Sequence, residues 1–334
     1  MSIIGRSEGD EVLAALGVRR LALPIPFTQA GGPINAYVID DIDGRVTLWD
    51  CGLNVPDCAA ALEQGFAEAG RRLEDVGRIL VSHGHVDHYG LARRVQERSG
   101  AKVYVHRRDW NKVTAGRAIA PMGEYFKKLG VPDALLASIG SMHQKTEAMA
   151  LRLDAVEPLE PGTKLRFAKF EAEIVHFPGH TPGLVCLHVP EKKLLFSDDH
   201  LLAKVSPNPL LELGENGEEG GYQALRTYLD SARRLYALDL EWLAPGHGEP
   251  FQGHRKTLDE LFAFYERRQG KIEAAMVERP KTAFELIADI FGEASSLQLY
   301  LMLSEIVGNL EVMEAKGRIR KDASEVPWHY RPAT

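Results

Sequence analysis

The chain has 334 residues, 45% of them hydrophobic, and a formal net charge of −7 that is spread without an acidic or basic block. Such a chain should bury one large core with room for an appendage, and its charge gives no case for polyanion binding. Cys51, Cys58 and Cys186 lack CxxC spacing, the first residues "MSIIGRSEGDEVL" lack a basic start, and no apolar run approaches about 18 residues, so a reducing cytoplasm is expected, with neither a disulfide framework nor a membrane span.

Short strands come first in the chain. "RLALPIP" (20–26), "NAYVID" (35–40) and "VTLWD" (46–50) are separated by Gly, Pro and Asp turn signals and predict an antiparallel opening sheet. A helix over 56–70 leads to a buried strand, "VGRILVS" (76–82). A second helix ending at Gly100 leads to "KVYVH" (102–106), a β-α-β rhythm that belongs to layered α/β folds. Residues 108–150 have helical spacing throughout and predict a helical insertion, a candidate lid, in which Met122, Tyr125, Phe126, Leu136 and Met142 suit core packing or a pocket wall. Strands resume from 164 to 199, a loop rich in Gly, Pro and Glu covers 204–221, and an amphipathic helix precedes "LEWLAPGHG" (240–248). From about 252 onward the spacing is helical. The expected division is a catalytic domain over 1–252, including the 108–150 insertion, and a C-terminal helical module over 253–334.

The end of the 76–82 strand carries the densest chemistry. In "SHGHVDH" (82–88), His83 and His85 are two apart and project to one side of an extended strand end, while Asp87 and His88 follow as the chain turns. Imidazole and carboxylate without thiolate suit zinc, iron or manganese. "HFPGHTPG" (176–183), "FSDDH" (196–200) and "APGHG" (244–248) repeat the placement, with His or Asp in a turn after an apolar strand.

These motifs, in this order and with "LWDCG" (48–52) upstream, resemble the metallo-β-lactamase superfamily over residues 18–252. The resemblance implies an α/β fold of αββα type, two sheets with helices outside, and a dinuclear metal site at one edge. It implies that His83, His85 and His180 hold one divalent ion, that Asp87, His88 and His247 hold the other, and that Asp199 bridges them. Zinc is the expected metal, with iron or manganese as alternatives. Asp50 would hydrogen-bond a ligand histidine. Asp198 stands where the family usually has glycine, and His200, where small residues are common, could support a ligand or touch substrate. His176 is read as a strand residue.

Such a centre would aim a metal-bridging hydroxide at an electrophile, with Asp87 also moving a proton to the leaving group. The full set of five His and two Asp resembles glyoxalase II and acyl-homoserine lactonases, which implies hydrolysis of a small ester, thioester or lactone. The alternative is an endoribonuclease or phosphodiesterase with the same site, because "RPKTAFELIADIF" and "LSEIVGNLEVMEAKGRIRK" resemble the winged-helix appendage of β-lactamase-like endoribonucleases. Nucleic acid is disfavoured: Glu305, Glu311 and Glu314 interrupt that stretch, and phosphate contact needs clustered Lys or Arg. The module is expected instead to serve a homodimer contact or to wall the site. Arg267, Arg268 and Lys271 form either a solvated face or a contact for an acidic substrate.

Overall fold

The period-two alternation of the opening strands sends their side chains into two different cores. The computed structural model describes residues 2–26, 32–116, 120–214, 221–292 and 296–333, so the Gly/Glu-rich stretch 215–220 of the expected loop lies outside the described residues. After α1 (Glu8–Ala15), β1 (Val18–Leu23), β2 (Ile34–Asp40) and β3 (Val46–Trp49) run antiparallel. β4 (Val76–Val81), β5 (Lys102–Val105) and β6 (Glu157–Pro158) extend the same sheet in parallel. α2 (Pro56–Glu68) connects β3 to β4, α3 (Val86–Tyr89) and α4 (Ala92–Ser99) connect β4 to β5, and α5 (Trp110–Thr114) follows β5.

A second sheet has the strand order β11-β10-β9-β8-β7, formed by β7 (Lys164–Arg166), β8 (Glu171–His176), β9 (Val185–Val189), β10 (Leu194–Asp198) and β11 (Trp242–Pro245). Tyr37, Ile39, Trp49 and Leu80 of the first sheet share one buried cluster with Ile174, Leu187, Phe196 and Ala244 of the second. The intervening positions Ala36, Val38, Leu48, Ile79 and Val81 turn to the other face and pack with Leu62 and Phe66 of α2 and Val95 of α4. The rings of Tyr37 and Phe196 meet edge to face across the sheets at 5.1 Å, and burying each such side chain contributes about 1.5–3 kcal/mol.

The described residues divide into two compact units, the first of Met1–Arg117, Thr146–Pro207 and Arg234–Thr257, the second of Ala118–Lys145, Asn208–Arg233 and Leu258–Thr334. The remaining elements are α6 (Ala120–Lys128), α7 (Asp133–Glu147), α8 (Ala224–Tyr236), α9 (His254–Ala275), α10 (Ala283–Phe291), α11 (Ser296–Ala315) and the antiparallel ribbon β12 (Ile319–Asp322) and β13 (His329–Pro332). Met122, Tyr125 and Phe126 are buried in the second unit's core with Ile272, Leu286, Leu303, Ile306 and Leu310. The apolar residues of the insertion thus pack with the C-terminal helices. Thr282 caps α10 reciprocally with Glu285, which satisfies backbone donors that the helix start leaves free. Arg268 pairs with Glu305 at 2.6 Å and lies 4.5 Å from the Phe291 ring centroid, so of the three basic residues at 267–271 it belongs to the interior of this unit. The helical spacing expected from about 252 onward does not extend over 319–332, which form this ribbon instead; a short two-stranded ribbon with one wet face carries little apolar alternation to announce it.

Candidate metal centre

All of the site residues expected from the sequence lie in the first unit, where strands β3, β4, β10 and β11 end and where the loop after β8 turns. Parallel pairing of β3 with β4 and of β10 with β11 brings the carboxyl ends of these strands to the same edge, the usual place for a site in open α/β sheets. Asp50 follows β3; His83, His85, Asp87 and His88 follow β4; His180 lies beyond β8; Asp199 and His247 follow β10 and β11.

Asp199 Oδ2 occupies the middle. It lies 3.4 Å from His180 Nε2, 3.5 Å from His88 Nε2, 3.7 Å from His247 Nε2 and 4.0 Å from His83 Nε2. His85 Nδ1 is 3.0 Å from both His83 Nε2 and His180 Nε2, and Asp87 Oδ2 is 3.5 Å from His247 Nε2. Three sets of donor atoms, each within 4.8 Å of one another, could hold an ion: His83, His85, His180 and Asp199; Asp87, His88 and His247; and His83, His88 and Asp198. His88 Nε2 and Asp199 Oδ1 are buried and make no hydrogen bond among the described residues. Buried polar atoms left in that state are costly, and a divalent cation would satisfy them, so these residues fit a metal.

The backs of the imidazoles are held by groups that the sequence names only in part. Asp50 Oδ2 lies 2.8 Å from His88 Nδ1, so the Nδ1–H donates to the carboxylate and Nε2 keeps its lone pair toward the centre. Asp50 also accepts from Ser82 N at 2.8 Å and Ser82 Oγ at 2.7 Å, and that hydroxyl is 2.9 Å from His83 Nδ1. Ser82 relays the same carboxylate to a second imidazole. Asp198 Oδ1 stands 3.3 Å from His88 Nδ1 and 3.4 Å from His83 Nδ1, while its Oδ2 accepts from Trp49 Nε1 at 3.0 Å. Burial would raise the Asp198 carboxyl, yet the His88 and His83 imidazoles hold it below the usual carboxylate range. Burial lowers His180 to about 3, whereas at His247 the carboxylates of Asp199 and Asp87 outweigh burial and raise it to about 9.

His247 depends on a clamp that the local sequence does not reveal. Asn35 Nδ2 donates to the carbonyls of Pro245 and Gly248 at 2.8 and 2.7 Å, and Tyr37 Oη donates to Pro245 O at 2.6 Å. Arg20 donates to Asn35 Oδ1 at 3.1 Å and grips Asp10 through two bonds of 2.7 and 2.8 Å. Asp10 in turn caps α1 with Ser7, and the Ser7-x-x-Asp10 spacing was the available signal. His200 is buried and stacks on Phe177 at 4.9 Å, outside the three donor sets. His176 Nε2 is 2.8 Å from Pro182 O, and its ring stacks on His106.

The sandwich and this cluster define a metal-dependent hydrolase class, and comparison with known proteins places the chain within it. A family model described as Metallo-beta-lactamase superfamily matches residues 30–247, so the chain belongs to the metallo-β-lactamase superfamily and is a metallo-hydrolase. It is similar to the probable metallo-hydrolase YqjP of Bacillus subtilis, 26% identical across 90% of this chain and 93% of that protein. It is similar to the human acyl-coenzyme A thioesterase MBLAC2, 24% identical across 69% of this chain and 78% of that protein. The crystal structure of a metallo-beta-lactamase family protein from Thermus thermophilus, TTHA1429, superposes with a TM-score of 0.81 at 28% identity, covering 95% of this chain and 98% of that one. No helix among the described residues is long and apolar enough to cross a membrane.

Proposed function

We propose that the chain is a dinuclear metallo-hydrolase acting on a small ester, thioester or lactone. His83, His85 and His180 would hold one ion, Asp87, His88 and His247 the other, and Asp199 would touch both. The observation that carries this reading is the position of Asp199 Oδ2, within 4.0 Å of Nε2 atoms from four histidines that divide between the two groups. We assign zinc, with iron and manganese as alternatives that the same donors accept. When bound, such ions would activate water and polarise the substrate carbonyl through its oxygen, making the carbon more electrophilic.

The protein's own residues then have separate tasks. Asp50 and Ser82 keep the Nδ1 protons of His88 and His83 on the outer side of the rings. Burial opposes ionisation of Asp87, but His88 and His247 lower its pKa, so it is ionised and able to take a proton released by the attacking water and pass it to the leaving oxygen or sulfur. A thioester is favoured within the acyl class because MBLAC2, a relative over most of its length, is an acyl-coenzyme A thioesterase by name. The glyoxalase II-like reading belongs to the same class.

The nuclease alternative draws on the C-terminal order α9, α10, α11 and two-stranded ribbon, with a single antiparallel bridge from Lys281 to Tyr330, which supports a winged-helix-like module. Against nucleic-acid binding, α11 is buried at Leu303, Ile306, Val307, Asn309, Leu310, Val312 and Met313, and a recognition helix needs a free face to enter a groove.

A panel of acyl thioesters, lactones and single-stranded RNA, assayed with and without chelator, tests the reading. Acyl turnover should vanish with chelator and fall about 100-fold or more in Asp87→Asn. RNA cleavage without acyl turnover would reject it. Metal analysis of the zinc-loaded protein should find about two ions per chain.

A further inference from the structure

We propose that Asp109 is a positioning residue for one half of the metal centre, its carboxylate holding the loop of His83 and His85 against the loop of His180. The inference rests on the two-ion reading above. Asp109 is fully buried. Its Oδ2 accepts hydrogen bonds from Gly84 N at 2.8 Å and Thr181 Oγ1 at 2.7 Å, its Oδ1 accepts from Gly183 N at 3.2 Å, and Lys112 Nζ stands 3.1 Å from Oδ1. Gly84 separates the two histidines of the first loop, and Thr181 directly follows His180. One carboxylate therefore spans the backbones that carry all three imidazoles of the first group.

The fit is close on both sides. A Cβ at Gly183 would lie 2.6 Å from Asp109 Cγ, and one at Gly84 would lie 3.2 Å from Asp109 Cβ and 2.8 Å from Lys112 Cβ. Both loops reach the carboxylate only because these residues have no side chain. The donors so held are in close register, with His83 Nε2 and His180 Nε2 each 3.0 Å from His85 Nδ1. The other group rests on different supports: Asp50 lies 2.8 Å from His88 Nδ1, and the carbonyls of Gly32 and Pro33 lie 3.3 and 3.2 Å from His247 Nδ1. Weakening Asp109 should loosen one group and spare the other. Asparagine there turns one acceptor oxygen into an NH2 that faces a donor, and it removes the charge that Lys112 pairs with.

The test is a zinc titration of the full-length, metal-stripped protein against a competing chromophoric chelator, with His180→Ala and His247→Ala as references for the two ions. In Asp109→Asn, the ion abolished by His180→Ala should bind about 10–100-fold more weakly, while the other stays within about threefold of wild type. Thr181→Val removes a single bond without removing a charge and should weaken the same ion to a smaller extent, so the proposal stays testable if Asp109→Asn does not fold. Equal weakening of both ions, or no weakening in either folded variant, overturns it. One ion per wild-type chain would reject the two-ion reading alone; if His180→Ala abolishes that ion, Asp109→Asn must still weaken it, and the proposal fails if Asp109→Asn leaves its affinity unchanged.

Discussion

Asp198 shows how much chemistry one backbone angle can hold. Its φ of +49° lies in the left-handed region, which costs an ordinary residue about 1–2 kcal/mol and suits glycine. The carboxylate offsets that cost by accepting from Trp49 Nε1 at 3.0 Å and Asp199 N at 2.9 Å, behind two ligand imidazoles. Asp198→Gly should therefore change the urea stability of the metal-free protein by less than about 1 kcal/mol, because relief of strain opposes loss of the indole's partner. Its zinc affinity should fall about 10-fold or more as negative charge behind His83 and His88 is removed. Equal zinc affinity in wild type and Asp198→Gly would take Asp198 out of the site. The sequence could set Asp198 and Asp199 side by side, but the direction each carboxylate faces follows from a dihedral that no residue name reports.

Elements divide according to which faces they bury. β2 is the best example: Ala36 and Val38 point to the helices, Tyr37 and Ile39 point to the second sheet, and Asn35 at its start grips the turn that bears His247. The alternation was legible, whereas the grip was not, because it joins residues 210 and 213 positions apart. α11 carries a different consequence. Burial, with Glu314 adding to it and Lys321 opposing, raises Glu311 to about 8. The folded protein then keeps a proton that the unfolded chain releases near 4.5, so stability contributed at this position falls as pH rises between those values. Glu311→Gln should remove that loss, and its urea stability relative to wild type should grow from about pH 4 to about pH 9. A constant difference across the range would mean that Glu311 ionises normally.

At the scale of the whole molecule, every proposed metal donor lies in the first unit and none in the second. Zinc bound only by the folded state adds about 2.7 kcal/mol at a hundredfold excess over its Kd, and that gain should register where the donors are. Hydrogen exchange followed by mass spectrometry should show that chelation speeds exchange at 83–90, 180–183 and 245–248 while 303–313 of α11 stays protected. Faster exchange in α11 with no change around His83 would contradict the placement of the ions. The local sequence determined the β-α-β rhythm, the strand-end motifs and the chemistry of the donors, since apolar period and residue type are properties of neighbouring positions. The tertiary structure alone decided that Ser82 and Asp198 join Asp50 behind the imidazoles, that Asp109 ties two loops together, and that the apolar residues of 122–139 join the C-terminal helices. Those relations depend on how strands pair and which faces meet, and buried carboxylates and apolar surfaces find their partners in space at separations along the chain that no local pattern encodes.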